Sequence, residues 1–108
     1  MKMKEVPHLN YIRELSGGDE VLEKKFIALI KNEFPIEKEI YLENLGDKKY
    51  SDTRQMVQKL KPKLNFLGLQ EGYRLALRYE EDLQYQDPKL QKEFLEILER
   101  IEAYINTL

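Results

Sequence analysis

Few residues in this chain are able to do chemistry, and the missing types matter as much as those present. There is one histidine, His8, and no cysteine in 108 residues. The lack of thiols excludes disulfides, thiolate nucleophiles and cysteine-held metals. A lone imidazole excludes the His-rich metal motifs and most acid–base machinery. His8 stands between Pro7 and Leu9 with no carboxylate spaced to orient it, and it reads as an ordinary residue of the chain's start. The acidic run Glu80-Glu81-Asp82 offers ligands for a cation, but neighbouring helical positions point to different faces, so a solvated surface is expected there. No phosphate-binding glycine loop, dinucleotide fingerprint or hydrolase triad occurs. No metal and no cofactor is expected.

One polar set remains. Gln58, Lys61 and Asn65 recur at i, i+3 and i+7, beside the apolar stripe Val57, Leu60, Leu64 and Leu67. On pattern alone this is the solvated side that most bundle helices carry. Pro62 disturbs that reading. Inside a helix it removes one backbone donor and frees the carbonyl of Gln58, at a cost of about 3 kcal/mol. A broken local rule of this kind points towards a functional or strained position.

Glycine and proline punctuate the rest of the chain. Ser16-Gly17-Gly18-Asp19 predicts a turn and a helix start with Asp19 as N-cap. Leu22, Phe26, Leu29, Ile30, Phe34, Ile40 and Leu45 then recur at near-helical steps. Pro35 predicts a kink or brief break within them, and Gly46-Asp47 predicts their end. Tyr50-Ser51-Asp52 opens the next helix, capped by Ser51 or Asp52 and ended by Gly68. A third pattern starts at Leu69 and takes in Tyr73, Ala76, Leu77 and Leu83. Asp87-Pro88 predicts an N-cap with proline at the first helical position. Leu90, Phe94, Ile97, Leu98, Ile101, Tyr104, Ile105 and Leu108 follow as the cleanest stripe. A short helix near Leu9 to Leu15 precedes all of these. Phe26, Tyr73, Phe94 and Tyr104 fall on apolar stripes, so packing is their expected use. No segment alternates with period two. The expected fold is all-α, an antiparallel four-helix bundle with a short additional N-terminal helix, in one domain spanning residues 1–108.

Composition agrees with a folded domain. Hydrophobic residues make up 42% and charged residues 35%, too apolar for a disordered chain. With 18 basic against 20 acidic residues the formal net charge is −2, which gives no reason to expect nucleic acid. Apolar runs such as Phe26-Ile27-Ala28-Leu29-Ile30 fall well short of the roughly 20 residues that span a bilayer, so no membrane is expected. Met1 to Val6 carries no long apolar run, which predicts no signal peptide and a soluble, cytoplasmic protein.

The segment from Gln58 to Gly68 also resembles a known signature. Gln58-Lys59-Leu60-Lys61-Pro62-Lys63-Leu64-Asn65-Phe66-Leu67-Gly68 is similar to the motif of the histidine-containing phosphotransfer (HPt) domains of bacterial phosphorelays. That motif runs histidine, any residue, a hydrophobic residue, lysine, two small residues and, a few positions later, Leu-Gly. Leu60, Lys61, Leu67 and Gly68 match it. Leu15-Ser16-Gly17-Gly18-Asp19 resembles the family's entry into its long helix, and Phe34-Pro35 resembles a feature midway along it. The likeness runs from about Leu9 to Leu108. It departs at the first motif position, where Gln58 stands in place of the phospho-accepting histidine. Lys63 departs as well, replacing a residue that is commonly small.

The resemblance implies an HPt-like bundle that docks response-regulator receiver domains and, within the same relay, a hybrid histidine kinase. An imidazole has a free lone pair at neutral pH. The glutamine amide nitrogen has its lone pair delocalised and offers only donors, so Gln58 is expected not to carry phosphate. The catalytic set is therefore empty. The resemblance implies a docking face centred on Gln58, with Gln55, Lys59, Lys61, Pro62 and Asn65 around it and apolar residues of the first helix beside it. Lys61 matches the family lysine that helps to neutralise phosphoryl charge, and Pro62 is compact enough to keep a partner's approach open. Two other readings stand beside this one. The chain is a true phosphotransfer protein whose acceptor histidine was changed to glutamine, or it is a generic helical adaptor.

Overall fold

The helix starts and stops follow local hydrogen-bonding chemistry. The computed structural model describes residues 5–108, so most of the Met1–Val6 expectation falls on residues 1–4, outside those described. Within the described residues there is no strand, and the helices are α1 (Asn10–Ser16), α2 (Glu20–Gly46), α3 (Tyr50–Phe66), α4 (Gln70–Gln84) and α5 (Gln91–Ile105). Asp19 caps α2 as its residue type predicts, accepting at Oδ1 from the N–H groups of Val21 and Leu22 at 3.0 and 3.2 Å. Gly17 and Gly18 ahead of it take positive φ of 58° and 87°, a turn that a side chain would strain.

Helices α2, α3, α4 and α5 close into a ring in which α3 lies between α2 and α4, and α5 completes the circle between α4 and α2. The short connections leave sequential neighbours antiparallel. Helix α1 rests on α2 and α3. The core takes Ile30, Phe34 and Tyr41 from α2, and Val57, Leu60 and Leu64 from α3. From α4 come Leu75, Ala76, Tyr79 and Leu83, and from α5 Phe94, Ile97, Leu98, Ile101 and Ile105. Across its centre Tyr41 and Tyr79 share a buried hydroxyl–hydroxyl hydrogen bond of 2.7 Å, with Phe94 edge-on to Tyr41. Burial pushes both phenol pKa values up, that of Tyr79 to about 12 against the Tyr41 hydrogen bond that lowers it.

Several sequence expectations need correction. Helix α2 runs unbroken through Pro35, where the expected kink or break includes no break. Pro35 and Lys31, whose carbonyl loses its partner, both lie on exposed surface that water can reach. Leu22, Leu29 and Ile40 are exposed rather than core, as are Leu77 and Leu108. Helix α2 does end at Gly46 with Asp47 as its C-cap, but the left-handed residue of the stop is Lys48, at φ 57°, and Lys49 N–H reaches back to the Asn44 carbonyl at 2.9 Å. Helix α3 starts at Tyr50 after an N-terminal residue, Lys49, whose side chain makes no cap, so Ser51 and Asp52 lie inside the first turn. Asp87 accepts from Lys89 N–H at 3.0 Å and closes a turn around Pro88, which delays the start of α5 to Gln91. No helix among the described residues is long and apolar enough to cross a membrane.

Candidate functional site

Helix α3 forms because its apolar positions Val57, Leu60 and Leu64 keep helical spacing and all reach zero or 1% exposure against α2 and α4. That burial fixes which residues look outward. Gln55, Gln58, Pro62 and Asn65, at i, i+3, i+7 and i+10, are all exposed and share the side opposite the core. Pro62 lies within this strip, so the Gln58 carbonyl that loses its helical donor sits on the same outward side as the Gln58 amide. The strip therefore offers hydrogen-bond donors and acceptors around a flat proline ring.

Lys59 is exposed but shifted towards α2, and Lys61 is not on the strip at all. Lys61 Nζ donates to Glu80 Oε2 of α4 at 2.7 Å and lies 5.7 Å from the Tyr73 ring centroid. The Glu80 side chain is only 8% exposed and that of Lys61 19%, so the pair is largely desolvated. The expectation that Glu80-Glu81-Asp82 is a solvated face fails at Glu80: its position on α4 turns it inwards, and the α3 lysine compensates its charge. Lys63 is buried and turns to the other side, within 2.9 Å of Glu33 and 3.0 Å of Glu37 on α2. Lys61 and Lys63 thus clamp α3 to its neighbours on either side. No cluster of histidine or acidic side chains among the described residues could hold a metal ion.

Helix α1 lies at the end of the strip nearest Asn65. Its Tyr11 stacks on Phe66 of α3, with ring centroids 5.9 Å apart, and Phe66 in turn meets Phe26 of α2 at 6.2 Å. Tyr11 and Leu15 remain partly exposed, an apolar margin beside the polar strip. A cavity of about 330 Å³ opens between α1 and the α3–α4 turn, with His8, Tyr11, Glu14, Asn65 and Gln70 among its walls.

His8 is more than an ordinary residue of the chain's start. Its N–H donates to the Leu67 carbonyl at 2.9 Å, its Nδ1 accepts from Asn10 N–H at 3.3 Å, and its ring packs where a Cβ on Gly68 would stand. Gly68 needs to be glycine for two reasons: its φ of 77° and this close imidazole. Ahead of His8, Glu5 caps α4 from a distance of 66 residues, its Oε1 accepting from Glu71 N–H at 2.8 Å and Gly72 N–H at 3.1 Å. Arg100 of α5 donates to the Glu5 carbonyl at 2.7 Å. Leu69 offers α4 no side-chain cap, the one local signal that a remote acceptor was needed. No family model, no curated protein and no solved structure matches this chain.

Proposed function

We propose that this chain is an HPt-like bundle that docks response-regulator receiver domains in the cytoplasm without carrying phosphate. The observation that carries the reading is the outward strip Gln55, Gln58, Pro62 and Asn65, bordered by the exposed Tyr11 and Leu15 of α1. A polar centre with an apolar margin suits a transient signalling contact of less than about 1,200 Å² in total. Gln58 stands at the centre of this strip, its side chain able to hydrogen-bond at a receiver's active site but unable to attack phosphorus. Lys61, committed to Glu80, fits a site with no phosphoryl charge to neutralise. A receiver, or the receiver of a hybrid kinase, would be held as a decoy or scaffold partner.

The test compares this chain with its Gln58→His variant against phosphorylated receivers, reading phosphoryl transfer on one gel and binding by titration. The expected result is no transfer to the glutamine form, with binding by both forms. Transfer to the glutamine form would end the claim of chemical incompetence. Absence of binding by both across a full receiver panel favours the generic helical adaptor, a reading that the exposed apolar residues of α2, outside this strip, also support.

A further inference from the structure

Helix α2 carries two apolar seams; the fold buries the inner one and engages the outer one only at Phe26, against Phe66, and at Glu33, against Lys63. The inner seam, which includes Ile27, Ile30, Phe34, Tyr41 and Leu45, faces the core. The outer one, Leu22, Phe26, Leu29, Glu33, Ile36 and Ile40, repeats with alternating steps of four and three, the spacing of a coiled-coil seam. It extends over the greater part of a helix about 40 Å long. Leu22, Leu29, Ile36 and Ile40 are 37%, 51%, 61% and 37% exposed, and Phe26 is half-buried against Phe66. A seam of this length presents far more apolar surface than the scattered leucines that any surface shows.

We propose that the outer seam of α2 binds the same seam of a second copy of this chain, the two helices running antiparallel. The charges flanking the seam argue for this occupant. Lys25, Asn32 and Glu39 occupy its solvent-side flank, all exposed; on the other flank Ile30 is buried, and Glu23 and Glu37, which antiparallel pairing sets opposite each other, are each neutralised within their own chain by Arg13 and Lys63. Antiparallel helices bring equivalent flank positions together. Layers Leu22–Ile40′, Phe26–Ile36′ and Leu29–Glu33′ then set Lys25 against Glu39′ and Glu39 against Lys25′, with the two Asn32 residues facing each other at the twofold axis. A parallel pair would set Lys25 opposite the flank of Ile30′ and give no ion pair. The wider pattern is a weaker version of the same asymmetry: Glu20, Glu23, Lys24, Lys25 and Lys31 leave the part of α2 before Asn32 slightly basic, and Glu33, Glu37, Lys38, Glu39 and Glu43 leave the part after it acidic. Glu33 with its Lys63 partner is the polar pair within the seam, which fixes register at some cost in affinity. The seam is on α2 and the receiver-facing strip on α3, so this inference stands apart from the proposed function.

The test uses the whole chain, with no receiver present. Sedimentation equilibrium up to the millimolar range is expected to show a species of twice 13.0 kDa. Lys25→Glu or Glu39→Lys alone should weaken association by roughly tenfold, since each change turns two attractive pairs repulsive. The double variant should restore it. Ile36→Lys should give a folded monomer by circular dichroism. Because the chain has no cysteine, Asn32→Cys reports the register directly: oxidation should yield a covalent dimer, and Lys48→Cys at the far turn should not. A chain monomeric at every concentration, leaving the seam to a helix of another protein, would overturn the proposal. So would a dimer indifferent to Ile36→Lys, or a charge swap that fails to restore what the single changes weakened.

Discussion

At the scale of single residues, charge pairing decides what the α3 lysines can do. Lys61 holds Glu80 at 2.7 Å in a site almost closed to water, so removing its ammonium strands a buried carboxylate. Lys61→Met is expected to lower stability by about 3–5 kcal/mol, and Lys61→Met with Glu80→Leu should recover most of the loss, as replacement of both buried charges usually does. A urea double-mutant cycle measures both. If the single and double variants lose equally, the pair is not what holds α3 to α4. A lysine freely displayed for a partner would cost almost nothing to remove. The sequence marked Lys61 by its spacing from Gln58 but contained no sign of Glu80, because the contact spans 19 positions and depends on how α4 is rotated. That Gln58 lacks a nucleophilic nitrogen is legible without a fold, since the chemical difference between an amide and an imidazole is a property of the side chain itself.

At the scale of the elements, local signals held at Asp19 but missed the helix starts near Ser51 and Pro88, and distant partners left no local signal at all. Asp19 caps α2 through its own next turn, and the stripe Val57, Leu60, Leu64 and Leu67 is buried as its period requires. Helix α4 has no such local cap and takes one from Glu5. Replacing Glu5 with alanine should cost about 1 kcal/mol, the usual worth of an N-terminal acceptor, and hydrogen exchange should quicken at the amides of Glu71 and Gly72 in particular. Unchanged exchange at those two amides would mean the carboxylate does not cap the helix. The outer seam of α2 shows the opposite difficulty. In the sequence it merges with the inner seam into one stripe, because Leu22, Leu29 and Ile40 interleave with Ile30 and Phe34 at steps that also look helical. Only the position of α3 and α5 against α2 tells which residues are covered.

At the scale of the whole molecule, the ring of helices meets across the Tyr41–Tyr79 hydrogen bond, and the burial of these two phenols makes stability depend on alkaline pH. Both phenols have folded pKa values above the ordinary 10.0, with Tyr79 at about 12. Above pH 10 the unfolded chain has released protons that the folded chain retains, so stability is full below pH 10 and falls between pH 10 and 12. Urea midpoints followed by circular dichroism should be flat from pH 7 to 9 and then drop, and Tyr79→Phe should make the drop shallower while costing about 1–2 kcal/mol at neutral pH through the hydroxyl left without a partner. A Tyr79→Phe protein with an unchanged alkaline limb would assign that limb to other groups. The all-helical class and the order of the elements were legible in the periodicity; the diagonal pairing of two tyrosines 38 positions apart was not, since it needs the ring to be closed first. The same closure turns Gln55, Gln58, Pro62 and Asn65 outward together, and the central claim is that this strip receives receiver domains. Calorimetric titration of the chain with receivers of its own organism tests that claim most directly. Saturable binding that Pro62→Glu weakens at least tenfold and Gln58→His preserves is the expected result; no binding to any receiver, or binding indifferent to Pro62→Glu, would contradict it.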